Sequence, residues 1–209
     1  MIPECDIRPG ILDPPPSCPL PKRHEIPEEN WGGFRDTWYL GQVPPVEAGE
    51  VLVHEGRALA CLDHVATNQE EFELLAQALE WGEIDDLPPP FLKAFNEKGM
   101  KELMRDPDDF SPLGGLEIGV AGLVHVLSAI GCVTAASCRW HGETSWSDCP
   151  VVFFAAPDQK VEILAKLIRE EGCGLRESRG LLVIEASSVT DLHSLAELIF
   201  EEIGRFQAS

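Results

Sequence analysis

The chain has 209 residues and a mass of 23.0 kDa, enough for one domain with its own core and an extension. Lys and Arg number 16 and Asp and Glu 36, so the formal charge is −20, a field that argues against nonspecific nucleic-acid binding and against a membrane surface. With 44% hydrophobic and 25% charged residues, no apolar run of membrane-spanning length (~18–20 residues) and no basic-then-apolar leader, a folded cytoplasmic protein is expected.

Eight of the 17 prolines fall at positions 3, 9, 14, 15, 16, 19, 21 and 27, which denies helix and central strand and predicts an extended arm over 1–30. It is either free or wrapped on the domain through Ile2, Ile7, Ile11, Leu12 and Leu20. A second region, 31–113, opens on Trp31, Phe34, Trp38 and Tyr39. Two short apolar runs, 50–54 and 57–62 around Glu55-Gly56, predict a β-hairpin. Thr67-Asn-Gln-Glu70 is a capping-box pattern, and Phe72, Leu74, Leu75, Ala78, Leu79 and Trp81 predict a helix over about 68–81. A further helix is expected from the Pro88-Pro89-Pro90 run to about Arg105. Twelve acids against four bases between 69 and 110 predict an acidic outer face, with Glu80, Glu83, Asp85 and Asp86 read as a solvated turn.

The third region, 114–209, reads more clearly. Leu116, Val120, Leu123, Val124, Leu127 and Ile130 predict a helix closed by Gly131, with His125 as a core histidine. Strands are expected at 132–137 and 151–156, a helix from Pro157 to Gly172, a strand pair at 173–178 and 181–186, and a last helix begun by Ser188-Val-Thr-Asp191. Gly-Cys pairs at 131–132 and 172–173 mark both helix-to-strand passages. The order predicts an α+β fold, a layered sandwich of a mainly antiparallel sheet with helices, ferredoxin-like or permuted in this C-terminal part.

Reactive side chains concentrate between the first two strands, in Ser137-Cys-Arg-Trp-His-Gly-Glu-Thr-Ser-Trp-Ser-Asp-Cys149. Seven cysteines, an odd number at irregular spacing with no export signal, are read as thiols. Cys138, His141 and Cys149 offer borderline-to-soft ligands of the kind zinc takes, with Cys61 and His64 as candidates to complete a site. Alternatively, Cys138 is a catalytic thiol beside Arg139 and His141. A third reading is recognition of a ligand or protein partner by Ser137, Arg139, Trp140, Trp146 and Asp148, with Arg139 and His141 donating and the indoles stacking. The plainest reading makes Cys138 a buried small hydrophobe, His141 a loop organiser and the tryptophans the edge of the core.

Over residues 115–186 the chain resembles a group of uncharacterised bacterial proteins with a Ser-Cys-x-Gly-His loop, which Ser137, Cys138 and His141 match and in which Trp140 takes the glycine's place. Ser137-Cys138 and Gly174-Leu-Arg-Glu-Ser178 also resemble the wybutosine-synthesis methyltransferase family, a likeness that implies a binder of a nucleotide-type cofactor. The leading expectation is a binding or accessory protein acting through the 137–149 loop. The alternative is a small enzyme using Cys138 and His141 as nucleophile or zinc site.

Overall fold

The computed structural model describes residues 1–26, 40–81 and 115–207, with Pro89, Lys93 and Leu113. The helix expected over 88–105 and the anchors at 31–39 lie outside the described residues. Among those described are α1 (Pro45–Val65), α2 (Gln69–Trp81), α3 (Ala121–Ala129), α4 (Asp158–Glu170), α5 (Val189–Glu201) and α6 (Ile203–Gln207). The strands are β1 (Val133–Cys138), β2 (Val151–Ala155), β3 (Gly174–Ser178) and β4 (Leu181–Glu185). None of these helices is long and apolar enough to cross a membrane.

The sheet is antiparallel throughout, in the order β1-β2-β4-β3. Taken from β2, the path strand-helix-strand-strand-helix followed by β1 reproduces a ferredoxin-like sheet whose last strand has moved to the front, the permuted α+β arrangement expected. Side chains alternate across the sheet. Val152, Phe154, Leu175, Leu182 and Ile184 enter the core with the helices, whereas Ala135, Val151, Phe153, Ala155, Leu181 and Val183 form a second cluster on the opposite face.

Both helix-to-strand passages use the same device. Gly131 (φ 80) and Gly172 (φ 72) are left-handed. Cys132 N–H bonds Leu127 O and Cys173 N–H bonds Ile168 O, both at 2.9 Å, while Gly131 and Gly172 bond Ser128 O and Arg169 O. This is the Schellman pairing, and the cysteine after each glycine is its buried apolar residue.

The Pro-rich arm is docked. Cys5 N–H donates to Ser187 O at 2.9 Å, Gly10 O and Leu12 N–H pair with Leu175 on the β3 edge, and Cys18 O accepts from Ala156 N–H at 3.2 Å. Cys5 and Ile7 pack against the second cluster of the sheet, and Ile2 and Ile11 against the main core. Leu12 and Leu20 stay exposed. Among its described residues, prolines hold the arm to isolated bridges and one short 3-10 turn, Arg23–Glu25, while its paired amides cover a sheet edge that would otherwise be open.

The expected hairpin at 50–62 is instead the middle of α1. Its buried positions, Ala48, Val51, Leu52, Glu55, Ala58, Leu59 and Leu62, recur every three or four residues, a period that overrides the turn signal of Glu55-Gly56. Gly56 serves close packing: a Cβ there would meet His193 Nε2 at 2.9 Å.

Helix α1 packs on α3 and α5 around a buried carboxylate. Glu55, 0% exposed, accepts from Gly119 N–H at 2.7 Å and Gly122 N–H at 3.1 Å, and its Oε2 lies 3.0 Å from His193 Nδ1. The α3 N-cap, Val120, has no capping side chain, so a carboxylate from another helix serves the free amides. Gly119 (φ 97) is required here, because a Cβ would come within 2.5 Å of Val189 Cβ. Gly119→Ala is expected to cost about 2–5 kcal/mol in urea unfolding, combining positive φ with overpacking; a loss under ~1 kcal/mol would mean that this turn yields.

Burial alone would lower the His193 pKa, but the hydrogen bond and charge of Glu55, with Glu197 beyond, raise it overall. A raised folded pKa contributes stability that is complete below the unfolded value of ~6.5 and is lost as pH rises through the folded value. The stability difference between the wild type and His193→Gln should therefore be widest near pH ~6 and narrow on the alkaline side. A difference that grows with pH would contradict the pairing.

Candidate functional site

Strand β1 carries Cys138 as its last residue, and its pairing with Val151 of β2 fixes the place of that side chain at the sheet end. The chain then turns through Trp140, whose φ of 72 is left-handed, at the position where the Ser-Cys-x-Gly-His pattern has glycine. That turn returns His141 to the neighbourhood of Cys138, the proximity that their spacing suggests. Gly142 (φ 67) follows, and a Cβ there would meet Gln69 Nε2 at the start of α2 at 2.6 Å.

Arg139, expected as a surface donor, is 2% exposed. Its guanidinium bonds Glu73, through Nε at 3.2 Å and Nη2 at 2.9 Å to Oε2, and pairs with Glu80 through Nη1. Its backbone N–H donates to Glu117 Oε2 at 2.9 Å. A buried guanidinium requires this company. The acidic face read from the sequence is thus turned inward at two positions of α2. Glu80 is no solvated acid: its Oε1 also accepts from Ile118 N–H at 2.7 Å. Glu83, Asp85 and Asp86 lie outside the described residues.

His141 bridges two of these carboxylates, Nδ1 to Glu73 Oε2 at 2.8 Å and Nε2 to Glu117 Oε1 at 2.9 Å. Hydrogen bonds with Cys138, Glu117 and Glu73 push its pKa up to about 12 against the opposing effect of burial. Burial would raise Glu73 and Glu117, but His141 and Arg139 outweigh it and hold both carboxyls below the usual range. Burial pushes Glu80 up to about 7 in spite of the Arg139 charge. Cys138, 1% exposed, has its Sγ 3.2 Å from Ser145 Oγ and accepts from Trp140 N–H at 3.4 Å.

Glu117, Cys138 and His141 each place one donor atom within 4.8 Å of the other two, a group that can hold a metal ion. Cys149, expected as the third ligand, does not belong to it. That thiol joins Cys138, Val151 and Phe153 in the second cluster of the sheet, where burial, with Glu185 and Cys5, pushes its pKa up to about 12. Cys61 and His64 are also absent from any such group among the described residues.

The remaining expected binding residues are spread out. Ser137 is half-buried on β1, Trp140 is half-buried in the turn, and Asp148 is exposed. Trp146 is 57% exposed, its ring 6.0 Å from that of Phe153. His125 is a core histidine, with Nδ1 2.8 Å from Ala121 O. Cavities of about 700 Å³, beside Val43, Ile130, Lys160 and Phe206, and of about 400 Å³, beside Leu20 and Val133, are lined by neither Cys138 nor His141.

No protein-family model, curated protein or solved structure matches this chain.

Proposed function

We propose that the chain is a metal-binding protein whose ion, zinc by the chemistry of its donors, is held by Glu117, Cys138 and His141 and fixes the 137–149 loop as a recognition surface. The observation that carries this reading is the convergence of a carboxylate, a thiol and an imidazole from two separate segments within 4.8 Å. Sulfur, nitrogen and oxygen donors together favour zinc over calcium or magnesium, which take oxygen alone. Each donor also has a neighbour that orients it: Glu73 on His141, the Arg139 N–H on Glu117, and Ser145 on Cys138. A metal on these donors takes the place of the proton that His141 otherwise holds between carboxylates. Three protein donors leave the fourth tetrahedral position to water or to a bound ligand.

Recognition then falls to the loop surface, where Trp146 is exposed, and no longer to Arg139, which the carboxylates occupy. Metal content of freshly purified protein tests the proposal. One zinc per chain is expected in the wild type, with loss in Glu117→Gln, Cys138→Ser and His141→Gln; a wild type that holds no metal and takes none up would overturn it.

One observation favours a second reading. His141, which bonds Cys138 as well as Glu73 and Glu117, sets a cationic ring beside a thiol, the neighbour that favours a nucleophilic thiolate. Against it stands the burial of Cys138. Rapid alkylation of the native Cys138 by iodoacetamide would favour this reading over the metal site.

A further inference from the structure

We infer that Glu55, buried between α1, α3 and α5, is a positioning residue for the metal donor Glu117. This rests on the metal reading of the site. Glu117 belongs to the turn that leads into α3, and its carbonyl accepts from Val120 N–H and Ala121 N–H. The next residues are clamped. Ile118 N–H is held by Glu80, and the Gly119 and Gly122 amides by Glu55. Gly119 is pressed against Val189 at the start of α5, and Gly122 against the Glu55 carboxylate, so neither position has room for a side chain.

Glu55 is in turn oriented by His193, whose other ring nitrogen lies 3.6 Å from Glu197. The charge is placed where α3 has free amides and no cap of its own. Loss of that charge frees the first turn of α3, and Glu117 moves with it while its own side chain is untouched. The residue that sets the metal donor thus lies on a helix that contributes no donor, and docking of α1 becomes a condition of metal affinity.

Cobalt titration of the full chain, followed by the sulfur-to-cobalt absorption band, tests this. Glu55→Gln should lower cobalt affinity about tenfold, the scale of an outer-shell loss, while the band persists at saturation because Cys138 still ligates. The comparison is Ile168→Ala in α4, a core change that lowers the melting temperature without touching α3's first turn, and its affinity should match the wild type. Equal affinity in Glu55→Gln and the wild type, or an equal loss in Ile168→Ala, overturns the inference. Should Glu55→Gln not fold, His193→Gln, which keeps the two amide bonds and removes the group that orients Glu55, is scored by the same criteria.

Failure of the wild type to take up cobalt overturns the metal reading alone. The inference is then decided in the metal-free protein, where Glu117 bonds His141 Nε2. There Glu55→Gln shifts the His141 ring resonances if Glu55 positions Glu117, and leaves them in place if it does not.

Discussion

Arg139→Ala is expected to destabilise the protein by about 3–5 kcal/mol, the cost of removing one partner from a buried ion network. The guanidinium side chain is 1% exposed and meets Glu73 and Glu80, which are themselves mostly enclosed. Without it Glu73 keeps His141, but among the described residues Glu80 keeps only the Ile118 N–H. Glu80, already raised to about 7, then takes up a proton at neutral pH, which limits the loss without cancelling it. Lysine should not rescue, because a single ammonium cannot reproduce the fork that reaches two carboxylates. Arg139→Met combined with Glu80→Leu should recover much of the loss, since an apolar replacement leaves fewer unpaired charges than either single change. Urea unfolding of the two singles and the double decides the point. A loss under ~1 kcal/mol in Arg139→Ala would mean that water reaches these carboxylates and that the network is not the clamp between α2 and the end of β1.

Zinc should raise stability by about 4 kcal/mol when free metal exceeds its dissociation constant a thousandfold. For a chain of this size that corresponds to roughly 8–16 °C in the melting temperature. The gain should vanish in Cys138→Ser and in Glu117→Gln, because each removes a first donor. Cys149→Ser should retain it, since Cys149 shares an apolar cluster with Cys138 but is not among the three converging donors. A melting shift that survives Cys138→Ser would place the ion elsewhere.

The C-terminal half was legible because its signals are local. Short apolar runs, the left-handed glycines at 131 and 172 and the Ser188–Asp191 capping box each specify their element within a few residues, and the capping box forms as expected, with Asp191 N–H on Ser188 Oγ at 3.2 Å. The segment 50–62 misled because Val51, Leu52 and Val53 before a Glu-Gly pair imitate a strand and turn. The longer period that makes it a helix becomes visible only when Ala48, Glu55 and Leu62 are counted on the same face.

The site was half legible. Cys138 and His141 are three residues apart, and a short turn brings them together. The carboxylate partners of the loop are distant in sequence, Glu73 68 residues and Glu117 24 residues before His141, and Glu80 59 residues before Arg139, and no local pattern specifies such a contact. Two signals were nonetheless present. Arg139 follows an apolar strand whose end is buried, a position that demands acidic company. Glu73 and Glu80 stand seven residues apart on α2, two helical turns, beside the buried Phe72, Ala76 and Leu79, so they share a stripe at the edge of its apolar face. Glu117 lies just ahead of α3, where a carboxylate reads most simply as a partner for the helix N-terminus.

X-ray absorption at the zinc edge of the loaded full chain tests the metal site most directly. The account predicts one sulfur at about 2.3 Å and nitrogen or oxygen scatterers at about 2.0–2.2 Å, with the histidine outer shell of a single imidazole. A first shell with no sulfur, or with two, would contradict a site built from Glu117, Cys138 and His141.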